Sequence, residues 1–303
     1  MPGSLAGVKA LAIDGGGIRG LIPALVLAEI ERRTGRAIAT MVDLIAGTST
    51  GGIIACALAL PEPMPASQIA EIYVKDGPKI FERRLSKEIS SAAGYIDERY
   101  DARPLVASLR SHLGATRLDQ STVPLILAVY DLEAREALLL RSDRDAVAMV
   151  DAAHATSAAP TYFEPVRVGV RTLVDGGVFA VNPSLFAYVE AGGAPELLLS
   201  LGTGENTRPL RYETVRDWGK LEWAEPIIGV VFDGGADAVD MQLSALVDGA
   251  YLRLQTRLDE ASDDLDDASA SILAALRREA ERLIAARGAD IDRACAQLAA
   301  RST

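Results

Sequence analysis

The sequence predicts an α/β fold in which a largely parallel sheet is covered on both faces by helices. Three observations carry that reading. Between Lys9 and Leu60, apolar runs of strand length alternate twice with helical stretches. Within the early runs, Ala10 to Ile13 and Leu44 to Ala46 are continuously apolar, as strands buried on both faces require. The 303 residues are 49% hydrophobic and 24% charged, enough to bury a sizeable core and too apolar for a disordered tail.

In chain order, residues 9–13 read as a short buried strand, followed by the glycine loop 14–20 and a helical stretch from Leu21 to about Arg33 that Gly35 ends. Residues 42–46 form the second strand. They run into Gly47-Thr48-Ser49-Thr50-Gly51 and then an apolar helical stretch, 53–60, stopped by Pro61 and Pro63. Further strands are expected at 125–130, 137–140, 166–170, 172–174 and 196–201. Six of the nine residues in 259–267 are acidic, which reads as a solvated loop; a divalent cation site is the alternative, but the glycine-centred spacing of a calcium loop is missing. Beyond it, Ile272, Leu276, Ala280 and Leu283 recur at helical period, Gly288 can end that helix, and Ile291, Cys295 and Leu298 begin another. The expected organisation is a domain over 1–255 with 256–303 as a C-terminal helical extension packed on it.

Charge narrows the partners. Lys and Arg number 31 against 42 Asp and Glu, and a net charge of −11 repels phosphate backbones and anionic surfaces, so nucleic acid is not an expected partner. Cys56 and Cys295 sit in apolar helical contexts and read as small core hydrophobes, not as a disulfide or metal ligands. The chain reaches its first apolar run, Ala10 to Ile13, without the charged region and long apolar core of a leader, and no stretch reaches the roughly 18 to 20 residues of a membrane helix, so a cytoplasmic protein is expected.

Asp14-Gly15-Gly16-Gly17-Ile18-Arg19-Gly20 places Gly15, Gly17 and Gly20 at the G-x-G-x-x-G spacing of a dinucleotide site. A nicotinamide oxidoreductase would also need an acid at the end of the second strand to hold the ribose, and Gly47-Thr48-Ser49 stands there instead. What remains is a loop whose N–H groups converge at a helix N-terminus, fit for an anion or a developing oxyanion. A cation at that place opposes the helix dipole, so Arg19 serves either a salt bridge or another purpose.

Gly47 to Gly51 fits G-x-S-x-G between a strand and a helix, the sharp turn that exposes a serine oxygen; a helix-capping serine is the plainer alternative for Ser49. A serine needs a base, and the usual order places a histidine last in the chain. The two histidines, His112 and His154, both precede the last strands, and each reads as structural. Asp175 ends a strand before Gly176-Gly177 and can act as base directly, though an Asp-Gly turn explains it equally.

Together, Asp14 to Gly20, Gly47 to Gly51 and Asp175-Gly176-Gly177 resemble, in order and spacing, the patatin-like phospholipase family. The likeness extends to the segments 76–81, 156–163, 178–183 and 199–204 and covers roughly residues 8 to 255. The resemblance implies a three-layer α/β/α fold and hydrolysis of acyl-ester lipids, phospholipids or lysolipids among them, by a Ser49 and Asp175 dyad that uses no histidine, cofactor or metal. It implies that Gly15, Gly16, Gly17 and Arg19 supply or support the oxyanion hole, and that Gly47 and Gly51 shape the nucleophile elbow. Val181 departs from the family, whose plant members more often carry Asn there. Lys75, Lys79, Arg83, Arg84 and Lys87, with Tyr73 and Phe81 interleaved, form a locally basic stretch that reads as a solvated helix face or, alternatively, as a peripheral membrane contact that meets lipid headgroups. A regulated phospholipase effector, idle until a ligand or partner arrives, is the second function considered.

Overall fold

The computed structural model describes residues 7–82, 99–223 and 226–300. Its centre is one sheet. The strands are β1 (Lys9–Ile13), β2 (Leu44–Thr48), β3 (Leu125–Asp131), β4 (Glu136–Arg141), β5 (Val166–Val168), β6 (Arg171–Asp175), β7 (Leu197–Leu201) and β8 (Tyr251–Leu254), ordered β5-β6-β3-β2-β1-β7-β8 with β4 also paired to β3. The run from β3 through β2, β1 and β7 to β8 is parallel, as expected, while β4, β5 and β6 enter antiparallel pairs.

Every residue of β1 is buried, which explains its lack of polar alternation. Leu11 and Ile13 point to one face and Ala10 and Ala12 to the other. The larger face is covered by α1 (Leu21–Thr34), α2 (Thr50–Leu58), α3 (Ala66–Ile80), α4 (Ala102–Leu113) and α5 (Met149–Thr156). Small residues on the second face, Ala10, Ala12 and Ala46, meet α7 (Ser184–Glu190) and α10 (Pro226–Leu246). The short helices α6 (Gly177–Ala180), α8 (Tyr212–Val215) and α9 (Lys220–Trp223) lie in the connections, and α11 (Ala270–Ala286) and α12 (Gly288–Ala299) complete the larger face against α1. α1 ends as its sequence predicts, with Gly35 in the left-handed region donating its N–H to the Glu31 carbonyl.

Three features were not anticipated. β8 extends the parallel run, and α10 lies on the second face. The acidic stretch is not simply solvated: Leu265 accepts the Ile18 N–H at 2.9 Å, and Asp266 is buried against Tyr100 (2.5 Å) and Arg99 (3.1 Å). Of the basic stretch, Lys75 and Lys79 lie on α3 beside Glu71 and Asp76, whereas Arg83, Arg84 and Lys87 lie outside the described residues. Cys56 and Cys295 are buried in the larger core, and burial pushes the Cys56 thiol up to about 12. Among the described residues no helix is long and apolar enough to cross a membrane.

Candidate active site

Ser49 stands between β2 and α2 with φ 56° and ψ −125°, a conformation that L residues rarely adopt and that turns its side chain out of the sheet. Its side chain caps no helix N–H, which removes the capping alternative. The strained turn is held from both sides. The Ser49 N–H donates to Thr156 Oγ1 at 3.0 Å, and Thr156 in turn donates to the Ala128 carbonyl at 2.6 Å. Thr48 Oγ1 donates to the Ala180 carbonyl at 2.7 Å. The turn also demands glycine at 51, where a Cβ would lie 2.1 Å from the Ile13 carbonyl oxygen.

Asp175 reaches Ser49 by a route that strand direction alone does not reveal. β6 runs antiparallel to β3, so the carboxyl end of β6 stops level with Val129. Ala128, one residue earlier, pairs with Thr48 of β2, and Ser49 follows. The register therefore brings nucleophile and acid to the same level of the sheet. Asp175 leads into α6, not into an Asp-Gly hairpin, and its fully buried carboxylate accepts the Gly177 N–H through Oδ1 at 2.7 Å. Burial pushes its pKa up to about 7, against the opposing influence of the nearby Ser49 hydroxyl and the Gly177 N–H. The Ser49 hydroxyl is close enough for that influence yet makes no well-aligned bond, and Asp175 Oδ2 is buried without a partner.

The glycine loop abuts this pair: a Cβ on Gly15 would lie 3.1 Å from Ser49 Cβ. Its N–H groups divide into two sets. Gly15 donates to the Val181 carbonyl at 2.9 Å, Ile18 to Leu265, and Arg19 to Gly16 at 3.1 Å, so these shape the loop. The N–H groups of Gly16, Gly17 and Thr50 meet no acceptor among the described residues. Gly17 holds φ 57°, and a Cβ there would strike the Leu265 carbonyl oxygen at 2.1 Å. Asp14 anchors the loop to β8 through a buried pair with Arg253 at 2.5 Å, burial raising its pKa and the guanidinium opposing that rise. The Arg19 side chain is buried and turns away to Asn206 Oδ1 at 2.5 Å, so it meets an amide where a salt bridge was one expectation.

A narrow, largely apolar cleft contains Ser49 and Asp175 and runs between helices. Thr50, Ile53 and Ala57 line it from one face of α2, Ile69, Ile72 and Tyr73 from α3, and Leu105, Leu109 and Leu113 from α4. His112 lines the same cleft but lies 3.3 Å from Asp76, and the His154 Nε2 is buried without a partner; neither histidine bonds Ser49 or Asp175.

The family model for patatin-like phospholipase matches residues 11–188. The chain belongs to that family. Patatin-like protein 2 of Arabidopsis thaliana is 33% identical over 310 residues, spanning 82% of this chain and 75% of that protein. A probable inactive patatin-3-Kuras 1 of Solanum tuberosum is 30% identical over 91% of this chain and 86% of its own length. Among solved structures, VipD from Legionella pneumophila has 13% identity and a TM-score of 0.46 over 93% of this chain and 68% of its own. Membership in the patatin-like family supports lipid acyl hydrolysis as the class of activity. Three residues of this patatin-like site lie outside the expected set: Thr156, which holds the elbow; Arg253, which pairs with Asp14; and Leu265, which cradles Gly17. Thr156 opens one of the segments that carry the resemblance, though nothing there gives it a role, while an arginine in a four-residue strand and a leucine among acids give no local signal. At Val181, the family departure, the contact that matters is a main-chain carbonyl that any residue can present.

Proposed function

We propose that this protein is a lipid acyl hydrolase of phospholipase A or lysophospholipase type, acting through Ser49 and Asp175. One observation carries the reading: a buried carboxyl with a pKa near 7 and an unpartnered oxygen stands beside a serine held in a strained elbow. In that environment Asp175 is a far better base than an ordinary carboxylate and needs no histidine.

Asp175 removes the Ser49 proton as Oγ attacks the acyl carbonyl, and the negative charge develops on the carbonyl oxygen. The N–H groups of Gly16, Gly17 and Thr50 receive it, while Gly15 and Arg19 support the loop that presents them. The tetrahedral intermediate collapses to an acyl-Ser49 ester as the alcohol half departs with the proton from Asp175. Water then attacks the ester with Asp175 again as base, and the acid is released as Asp175 returns the proton to the departing Ser49 Oγ. The apolar stripes of α2, α3 and α4 suit the cleft to a fatty acyl chain.

The test compares release of fatty acid from a short nitrophenyl ester and from mixed phospholipid vesicles by wild type, Ser49→Ala and Asp175→Asn, with circular dichroism of each. Activity in the wild type and loss of at least about a thousandfold in both folded variants is the expected result. Full activity in folded Ser49→Ala overturns the assignment.

A further inference from the structure

Helix α10 is amphipathic in the wrong sense for a helix facing water. Its inner side carries Phe232 and Leu243, the two residues of the helix that are buried. Its outer side presents Ile227, Val230, Val231 and, three turns on, Met241, all at helical spacing and all exposed. The preceding segment continues the same character, with Leu210 49%, Tyr212 70% and Leu221 73% exposed. Eight of the eleven large apolar side chains exposed among the described residues fall within 210–246, so the patch is localised. Trp218 and Trp223 stand in it as an edge-to-face pair with centroids 5.1 Å apart.

We propose that this surface, residues 208–223 with the outer face of α10, docks on the headgroup and upper acyl region of a zwitterionic phospholipid bilayer. The occupant follows from three observations and rests on the acyl-hydrolase reading. First, α10 borders the cleft: Phe232, on the inner side of the helix, forms part of the cleft wall with Ser49 and packs its ring against Gly177. Whatever covers the outer stripe is therefore separated from the wall of the cleft by the one helix, about 10 Å across. Second, Trp and Tyr are interleaved with long cationic side chains, whose apolar stems and polar heads suit the boundary between hydrocarbon and water. Third, the local charge departs from that of the whole chain. Residues 208–223 hold four cations, Arg208, Arg211, Arg216 and Lys220, against three acids, where the protein carries −11 overall. That near-balanced segment lies beside an α10 that adds Asp233, Asp237 and Asp240 and no cation, so the surface as a whole suits a zwitterionic bilayer and would be repelled by an anionic one.

The chain supplies its own probe, because Trp218 and Trp223 are its two tryptophans. Intrinsic fluorescence of full-length protein is recorded on adding phosphatidylcholine vesicles, with and without brominated acyl chains, and vesicle hydrolysis is measured in parallel. The expected result is a blue shift with quenching by the brominated lipid, and vesicle partitioning roughly tenfold weaker in Leu221→Asp and in Val230→Asp, since each removes one buried apolar anchor. Both positions are exposed, so folding is preserved and is checked by circular dichroism. Vesicle hydrolysis with unchanged tryptophan emission overturns the docking surface and leaves the hydrolase reading standing. A lipid-dependent shift without hydrolysis of any ester does the reverse. Concentration-dependent self-association that the same variants abolish, with no response to vesicles, assigns the patch to a second copy of the chain and overturns the proposal.

Discussion

Asp175 couples function to stability through one buried carboxyl. Its pKa near 7 in the folded chain compares with 3.8 when exposed, so the folded state holds the proton more tightly. Stability is therefore unpenalised below about pH 4, falls between about pH 4 and 7, where the unfolded chain has lost this proton and the folded chain still holds it, and stays reduced above 7. Asp175→Asn keeps an oxygen for the Gly177 N–H and removes the charge. We expect it to match wild type near pH 4 and to be more stable at pH 8 by on the order of 2 to 4 kcal/mol, read from denaturant midpoints at both pH values. The same group should give kcat/KM an acid limb with an apparent pKa near 7. A profile flat from pH 5 to 8 would count against Asp175 as the base. Gly17 carries a different burden. With φ at 57° and the Leu265 carbonyl oxygen 2.1 Å from any Cβ, Gly17→Ala must move either the loop or the acidic segment that holds it. The expected loss is roughly a hundredfold or more in kcat, with destabilisation above about 1 kcal/mol, because the N–H at 17 no longer points where the oxyanion forms.

At the scale of elements, the cleft is built from helical stripes whose lengths are fixed by geometry. Thr50 and Ala57 are seven residues apart on α2, so the α2 wall is about 10 Å long from the nucleophile to Ala57. An extended acyl chain advances roughly 1.3 Å per carbon, from a C–C bond of about 1.5 Å. Ala57 thus lies near the eighth carbon. Ala57→Phe should lower the ratio of activity on a twelve-carbon nitrophenyl ester to that on a four-carbon ester by about tenfold or more. The helix keeps its place at a cost of about 1 to 3 kcal/mol for overpacking. An unchanged chain-length profile would show that the chain takes another path. α2 was legible in the sequence because everything that defines it is local: the apolar run of β2, the glycines of the turn and the prolines that follow. The same holds for β1, its loop and α1. The direction of β6 was not legible, because it depends on Val129 pairing with Asp175 across a long connection, and a three-residue apolar run reads the same either way. Asp175 was found through its motif, whereas the rule that sites gather at carboxyl ends presumes parallel strands. The stretch 259–267 was misread because charge composition outweighed Leu265, whose carbonyl does the structural work.

For the whole molecule, we propose that 1–255 is the catalytic domain and that 256–303 belongs to the same folding unit. α11 lies along α1 and shares its core through Leu273, Leu276, Ala280 and Leu283. Glu279, also on α11, is buried and accepts the N–H groups of Asp259 and Glu260 while pairing with Arg282. The segment between these helices and β8 then reaches the glycine loop, where Leu265 receives the Ile18 N–H. An extension tied at its core, its polar cap and the candidate oxyanion loop cannot melt first without releasing that loop. Leu276→Ala should therefore cost the whole protein about 2 to 5 kcal/mol, the price of a cavity beneath α11. Unfolding followed by tryptophan emission, which reports on 218 and 223, should coincide with unfolding followed by circular dichroism in both wild type and variant. Two separated transitions, with the earlier one moved by Leu276→Ala and activity surviving it, would make the extension an independent appendage and detach it from the site.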